Sequence, residues 1–419
     1  MGFFRFLMND VLSEPAVLVG LIALIGLAVQ KKTITECITG TVKTILGFVI
    51  LGAGAGLVVN ALGGFATIFQ HAFGIQGVIP NNEAIVSIAQ KSFGREMALI
   101  MFFAMIINIL IARFTPWKFI FLTGHHTLFM SMMVAVILSV AGIKGITLVV
   151  IGSLVVGISM VFFPAIIHPY MKKVTGADDV ALGHFSTLSY VLAGFIGSKL
   201  GNKAHSTEEM NVPKSLLFLR DSPVAISFTM AIIFIITCLF AGDDLVRQVS
   251  GGKNSFMFAV MQSITFAAGV YIILQGVRMV IAEIVPAFKG ISDKLVPNAR
   301  PALDCPVVFP YAPNAVLIGF LSSFAAGIIG MFILYILNMT VIIPGVVPHF
   351  FVGATAGVFG NAMGGKRGAI LGAFTQGMLI TFLPVFLLPV LGNIGIANTT
   401  FSDADFGMVG ILLGIIVTH

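Results

Sequence analysis

Long apolar runs separated by short polar breaks dominate this chain. Runs able to cross a bilayer as helices lie at Pro15–Gln30, Ile45–Phe69, Met97–Ile111, Phe119–Ala141 and Ile146–Ile167. After a polar stretch they resume at Val224–Leu239, Phe256–Ile284, Ala315–Tyr335, Ile370–Leu391 and Val409–Val417. One span takes ~20 apolar residues, so the pattern predicts an all-α polytopic membrane protein with about ten spans. Three further apolar segments, Asn81–Phe93, His184–Ile196 and His349–Phe359, are too short or too Gly-rich to cross alone. Broken or re-entrant backbone is tolerated within a membrane only where protein buries it or it lines a cavity, so these segments point toward a substrate site. Pro15–Gln30 has neither a basic leader nor a small-residue cleavage site, and reads as a retained first span.

Composition agrees with the pattern. Of 419 residues, 58% are hydrophobic and only 10% charged, too few charges for a soluble enzyme's surface or for a disordered chain. Lys and Arg exceed Asp and Glu by 23 to 17, a net +6 that reports loop topology rather than nucleic-acid binding. Cys37, Cys238 and Cys305 form no C-x-x-C or Cys/His spacing, which argues against a disulfide framework or a structural zinc site.

The most polar stretch, Lys199 to Asp221, lies near the middle and reads as a linker between residues 1–200 and 222–419. Its four basic residues favour the cytoplasmic side; it is either a solvated loop or a docking surface. Five echoes recur in the same order in both halves. Ile79-Pro80-Asn81 answers Val296-Pro297-Asn298, and Gly124-His125-His126 answers Pro348-His349-Phe350. Gly142-Ile143-Lys144-Gly145 answers Gly365-Lys366-Arg367-Gly368, and Pro164 with Pro169 answers Pro384 with Pro389. Asp179 with Gly183 answers Asp403 with Gly407. Two repeats of about 200 residues, interrupted in corresponding places, are the architecture of many secondary transporters.

Ionisable groups within apolar stretches are costly and mark function. Asp304, in Leu303-Asp304-Cys305-Pro306, can accept hydrogen bonds from sugar-like hydroxyls or bind a proton or Na⁺, and can also cap the helix after Pro306. His125, His126, His184 and His349, four of eight histidines, open apolar segments, where helix N-termini offer free N–H groups and a positive dipole. Glu83 within Asn81-Asn82-Glu83-Ala84, and Asn361 after Gly360, flank other breaks, where turn chemistry and substrate contact are both open. Carboxylates or Cys at metal-ligand spacing do not adjoin the histidines in sequence, so no metal or cofactor is expected. The chain has no P-loop, G-x-S-x-G or H-E-x-x-H, so energy must come from an ion gradient or a partner, and no catalytic nucleophile is expected.

Several segments resemble the ascorbate-specific IIC permeases of the bacterial phosphotransferase system. They are Ile45-Leu46-Gly47-Phe48, Leu122-Thr123-Gly124-His125, Gln275-Gly276-Val277-Arg278-Met279, Ala302-Leu303-Asp304-Cys305, Ala312-Pro313-Asn314-Ala315-Val316, Ile342-Ile343-Pro344-Gly345 and Gly357-Val358-Phe359-Gly360-Asn361. The resemblance runs from about residue 15 to 392. It implies a homodimer in the bacterial cytoplasmic membrane with about eleven spans per subunit, re-entrant hairpins, two inverted repeats, and scaffold and core domains. It also implies uptake of L-ascorbate or a related sugar acid or polyol by an elevator-like movement of the core. Cytosolic IIA and IIB partners would drive phosphorylation from a IIB phosphocysteine; the chain has no Cys-Gly-x-Gly loop, so IIB is expected to be a separate protein and Cys305 a neighbour of the site.

By position, the resemblance implies substrate contacts at Glu83, Ala84, His125, His126, Thr127, Leu128, Phe129, His184, Phe185 and Asp304, with Ile85, His349, Phe350 and Asn361 as further lining. Members of the family tend to carry an aromatic at the Glu83 position and amides near Phe129 and Phe185. The departures here imply a pocket more acidic on one side and more apolar on the other. The alternative is an ion-coupled secondary transporter with Asp304 or Glu83 as the proton or Na⁺ site; a channel or sensor is a third.

Overall fold

Backbone polar groups inside a bilayer must find partners within the chain, and the apolar runs meet that demand mainly as helices. A computed structural model describes residues 15–74, 77–210, 213–392 and 398–418. Parts of the two expected halves (1–14, 75–76, 393–397 and 419) and of the linker (211–212) lie outside the described residues.

The first helices are α1 (Pro15–Val29) and α2 (Ile34–Phe73). A capping box opens α2: Glu36 N–H donates to Thr33 Oγ1 at 3.2 Å, and Thr33 N–H to Glu36 Oε2 at 2.8 Å. Strand β1 (Gly77–Pro80) leads to α3 (Asn82–Phe114), which Asn81 caps through its side chain. There follow β2 (Phe119–Phe121), α4 (Gly124–Val140), α5 (Gly145–Thr175), β3 (Ala181–Leu182) and α6 (Thr187–Leu200). Beyond the linker come α7 (Ser222–Ala241), α8 (Asp243–Ser250), α9 (Ser255–Leu295) and β4 (Arg300–Leu303). Then α10 (Pro313–Ile336), β5 (Val341–Ile342), α11 (Val346–Leu391), β6 (Thr399–Thr400) and α12 (Ala404–Thr418) complete the order. Among the described residues seven helices are long and apolar enough to cross a membrane, and the shorter α4 and α12 are also apolar. The chain is thus an all-α polytopic membrane protein.

Three boundaries differ from the sequence pattern. The apolar run Phe119–Ala141 is not one span: it divides into β2 and α4, because the β-favouring Phe-Ile-Phe pairs with β4 and Asn108 clamps it. Asn108 Nδ2 donates to Phe119 O at 2.9 Å, and Phe121 N–H donates to Asn108 Oδ1 at 3.0 Å. Asn81–Phe93 and Met97–Ile111 instead fuse into α3, since no proline interrupts them. His349–Phe359 and Ile370–Leu391 become the two arms of α11, bent where Gly364 and Gly365 leave helical geometry. Gly365 has φ +59°, and a Cβ there would lie 2.2 Å from the Asn202 carbonyl.

The short strands, which apolar periodicity alone does not predict, form two parallel sheets ordered β5-β1-β6 and β2-β4-β3. Each central strand lies between two strands from the other side of the linker. Gly77 pairs with Val341 and Ile79 with Thr399; likewise Arg300 pairs with Phe119 and Ala302 with Ala181. The ladders satisfy backbone groups where the helices are broken.

Packing falls into two helix groups. Helices α2, α7 and α9 share a core that includes Val58, Phe65, Phe234 and Phe266. Helices α3, α4, α5 and α12 bury Met130, Met133, Met160 and Phe406, and a third cluster joins α5, α6, α10 and α11 through Met171, Tyr190, Val316 and Phe359. The linker is neither a free loop nor wholly exposed. Glu208 accepts N–H bonds from Asn314 at 3.0 Å and Ala315 at 3.1 Å, capping α10, and Thr207 N–H donates to Asn361 Oδ1 at 2.9 Å.

Candidate functional site

The strand ends and helix starts converge on one cavity of about 330 Å³ that brings ionisable side chains together. Its wall draws Asn82 and Glu83 from the start of α3, and Thr123, His125, His126 and Phe129 from around α4. Beside them stand His184 after β3, Asp304 after β4, and Ser402 with Asp403 after β6. Leu274 and Arg278 of α9, with Val347, Pro348 and Phe351 of α11, close the rest. Two larger grooves, about 550 Å³ each, have mainly apolar walls.

Carboxylates and imidazoles alternate around the cavity. His125 Nε2 lies 3.4 Å from Asp304 Oδ2, and His184 Nε2 lies 3.9 Å from both Asp304 Oδ1 and Asp403 Oδ2. His126 Nε2 is also 3.9 Å from Asp403 Oδ2. The rings of His126 and His184 have centroids 3.8 Å apart. Asp403 is fixed by bonds to Oδ1 from Asn82 Nδ2 at 3.1 Å and Ser402 Oγ at 2.7 Å. Asp304 accepts from Cys305 N–H at 2.7 Å, so it caps the turn after β4 and faces the cavity at once.

Hydrogen-bond partners set the tautomers. Phe185 N–H donates to His126 Nδ1 at 3.3 Å, which leaves the proton of the neutral ring on Nε2. Tyr190 is fully buried, its hydroxyl 2.9 Å from His184 Nδ1. With the phenol donating to Nδ1, the proton of His184 sits on Nε2 as well. Both rings therefore aim N–H groups at Asp403 across gaps too long for a direct hydrogen bond. A hydroxyl placed between accepts from the ring and donates to the carboxylate. The cavity has this pairing at His126, His184 and Asp403.

Sets such as His126, His184 and Asp403, or His184, Asp304 and Cys305, also bring potential metal donors together. Sequence spacing did not show this, because the carboxylates come from β4 and β6. His126 does not suit such a set as a neutral ring, because its Nδ1 accepts the Phe185 N–H and Nε2 then carries the proton.

Of the positions implied by the resemblance, Glu83, His125, His126, Phe129, His184 and Asp304 meet at the cavity. The others lie away from it. Ala84 is buried and its N–H is taken by Asn81 Oδ1 at 2.7 Å; Ile85 and Leu128 pack in the core. Thr127 bonds back to Thr123 O at 3.2 Å. Phe185 is buried, stacked on Phe121 at 4.7 Å between centroids. His349 bonds to Ser323 Oγ at 2.7 Å, Phe350 joins the α2–α7–α9 core, and Asn361 holds the linker. Sequence reasoning left Asn82 open between turn chemistry and substrate contact, and passed over Ser402 and Asp403 as site residues. Asp403, in Phe401-Ser402-Asp403-Ala404-Asp405-Phe406, has the same signal as Asp304: an acid in an apolar stretch at a helix start.

The ladders also revise the echoes. With Gly77 set level with Arg300, both sheets have one register, and it carries outward to put Val347, Pro348 and Phe351 at the places of His125, His126 and Phe129. His349 then falls opposite Thr127, and Ser402 opposite His184. The cavity wall is therefore drawn from matching places on either side of the linker.

A family model described as "PTS system sugar-specific permease component" (EIIC-GAT) matches residues 10–405. The protein named "Ascorbate-specific PTS system EIIC component" from Mycoplasma pneumoniae (strain ATCC 29342 / M129 / Subtype 1) is 26% identical to this chain over 447 aligned positions, covering 93% of this chain and 67% of that relative. With its apolar helices and a cavity suited to hydroxyl groups, the chain belongs to the sugar-specific permease components of the phosphotransferase system, multi-pass proteins of the cytoplasmic membrane.

Proposed function

We propose that this permease takes up L-ascorbate or a closely related sugar acid or polyol, and that uptake is coupled to phosphorylation by a separate IIB protein bearing a phosphocysteine. The observation that carries the reading is the convergence of Asp304, Asp403, His125, His126 and His184 on one cavity with N–H groups facing carboxylates. Each substrate hydroxyl would bridge one such pair, and the face of Phe129 would cover the apolar side of the ring. The name of the Mycoplasma relative supports ascorbate as the first ligand to try. Cys305 is buried beside Asp304, which suits a neighbour of the site better than a phosphoryl carrier.

The matching strand registers on either side of the linker support two inverted repeats, with residues 1–200 and 222–419 as the halves and 201–221 between them. The group of α2, α7 and α9, with α1 and α8 packed on it, is suited to be a static scaffold at a homodimer interface, and the remaining helices a core that moves against it. Among the described residues, Leu274 and Arg278 are what this group contributes to the cavity. Such a movement would present the solute to cytosolic IIA and IIB partners.

Binding of L-ascorbate to the purified protein tests the reading. Asp304→Asn should weaken binding by roughly ten- to a hundredfold, since a hydrogen bond to a charged group contributes about 1.5–3 kcal/mol, and His184→Ala by up to about tenfold, since a neutral one contributes about 0.5–1.5 kcal/mol. Unchanged affinity in Asp304→Asn would remove that residue from the site. The buried carboxylate of Glu83 in the cavity wall favours one second reading, proton- or Na⁺-coupled transport. Accumulation of unphosphorylated substrate in vesicles lacking the phosphotransferase partners would establish it.

A further inference from the structure

The buried carboxylate of Asp405 lies outside the cavity wall, yet it joins the two turns that supply His184 and Asp403. It accepts N–H bonds from Thr187 at 2.7 Å and Leu188 at 3.0 Å, the opening residues of α6, from 217 and 218 positions away. In return Ser186 Oγ accepts the N–H of Ala404, at the start of α12, at 3.2 Å. Asp405 N–H donates to Phe185 O at 3.1 Å. Two helix N-termini, each with orphan N–H groups and a positive dipole, thus cap each other.

We propose that Asp405 is a positioning residue that fastens the His184 turn and the Asp403 turn into one body, so that they carry the solute together. The inference rests on the reading of the cavity as the substrate site. The reach of this one carboxylate extends to three cavity groups. His184 and Asp403 sit within a few residues of the cross-bonds, each next to a residue that makes one, and Phe185 N–H sets His126 through Nδ1. Parting the two turns would strip a buried carboxylate of two donors and leave helix-terminal N–H groups unpaired in a low-dielectric interior. The cavity must then open elsewhere, on the side where α9 presents Leu274 and Arg278.

The test uses the full-length protein, purified and reconstituted, with L-ascorbate as the probe. Asp405→Asn keeps the shape but offers one acceptor oxygen to two N–H groups and turns an amide NH₂ against the other. It should weaken L-ascorbate binding by about tenfold or more and speed amide exchange at Thr187 and Leu188 but not in α2 or α9. Ser186→Ala, which removes the reciprocal bond, should act in the same direction less strongly, and it decides the matter if Asp405→Asn does not fold. Wild-type affinity in both variants, or faster exchange spread evenly over the protein, would overturn the proposal. If the wild-type protein does not bind L-ascorbate, the substrate reading fails. Exchange at Thr187, Leu188 and Ala404 in the two variants then judges the coupling of the turns by itself.

Discussion

Arg278 shows how a single side chain can decide what kind of solute a cavity accepts. The wall carries the carboxylates of Glu83, Asp304 and Asp403, and among its described residues Arg278 is the one Arg or Lys. A substrate bearing a negative charge would face three acids without it, whereas a neutral polyol would lose little. Arg278→Gln should therefore weaken a sugar acid such as L-ascorbate at least about tenfold more than a neutral polyol of similar size, measured by competition binding, since charge-assisted hydrogen bonds exceed neutral ones by about a factor of two. Equal losses for both ligands would show that Arg278 acts on shape alone. At this scale the sequence was informative at most places where an ionisable group interrupts an apolar run. Glu83, Asp304 and three of the four histidines chosen that way line the cavity. The fourth, His349, follows the same local pattern, but its ring bonds to Ser323 instead.

Elements depend on where the helices stop, and two devices settle this beyond apolar length. The first is the bend of α11 at Gly365, whose positive φ and close approach to the Asn202 carbonyl leave no room for a side chain. Gly365→Ala should destabilise the protein by about 1–3 kcal/mol, read as a lower midpoint of thermal unfolding in detergent, because both strain and backbone overlap oppose it. A midpoint equal to wild type would mean that the bend is set by packing alone. The second device is ionic. Asp178, in the turn after α5, lies 2.7 Å from Lys172 Nζ, 2.7 Å from His168 Nε2 and 3.2 Å from an Arg300 guanidinium nitrogen at the start of β4. The hydrogen bond from Lys172, then that from His168 and the charge of Arg300, hold its carboxyl well below the usual range. A depressed pKa stabilises the fold above the unfolded value of about 3.9, and that contribution is lost as pH falls further. The stability difference between wild type and Asp178→Asn should thus be flat near neutrality and shrink below about pH 4, as urea titrations at several pH values would show. A difference that grows with acid would contradict the assignment. Neither device follows from hydrophobic pattern: Gly365 is one glycine among 46, and Asp178 meets Arg300 only because β3 and β4 pair.

At the scale of the whole molecule, each sheet takes its central strand from one side of the linker and its two edges from the other. Neither part can form its central strand's pairings alone, so the cavity is completed only when both are present. The order of apolar runs, the scarcity of charge, the polar linker and the family motifs were all legible along the chain, because bilayer insertion and backbone satisfaction act on local composition. These features alone determined an all-α membrane protein of the phosphotransferase permease family, with a site near Asp304 and the histidines. Tertiary structure alone decided which acids and rings face each other. His184 and Asp403 are 219 positions apart, and their approach depends on parallel ladders of two residue pairs each, whose register no local pattern encodes.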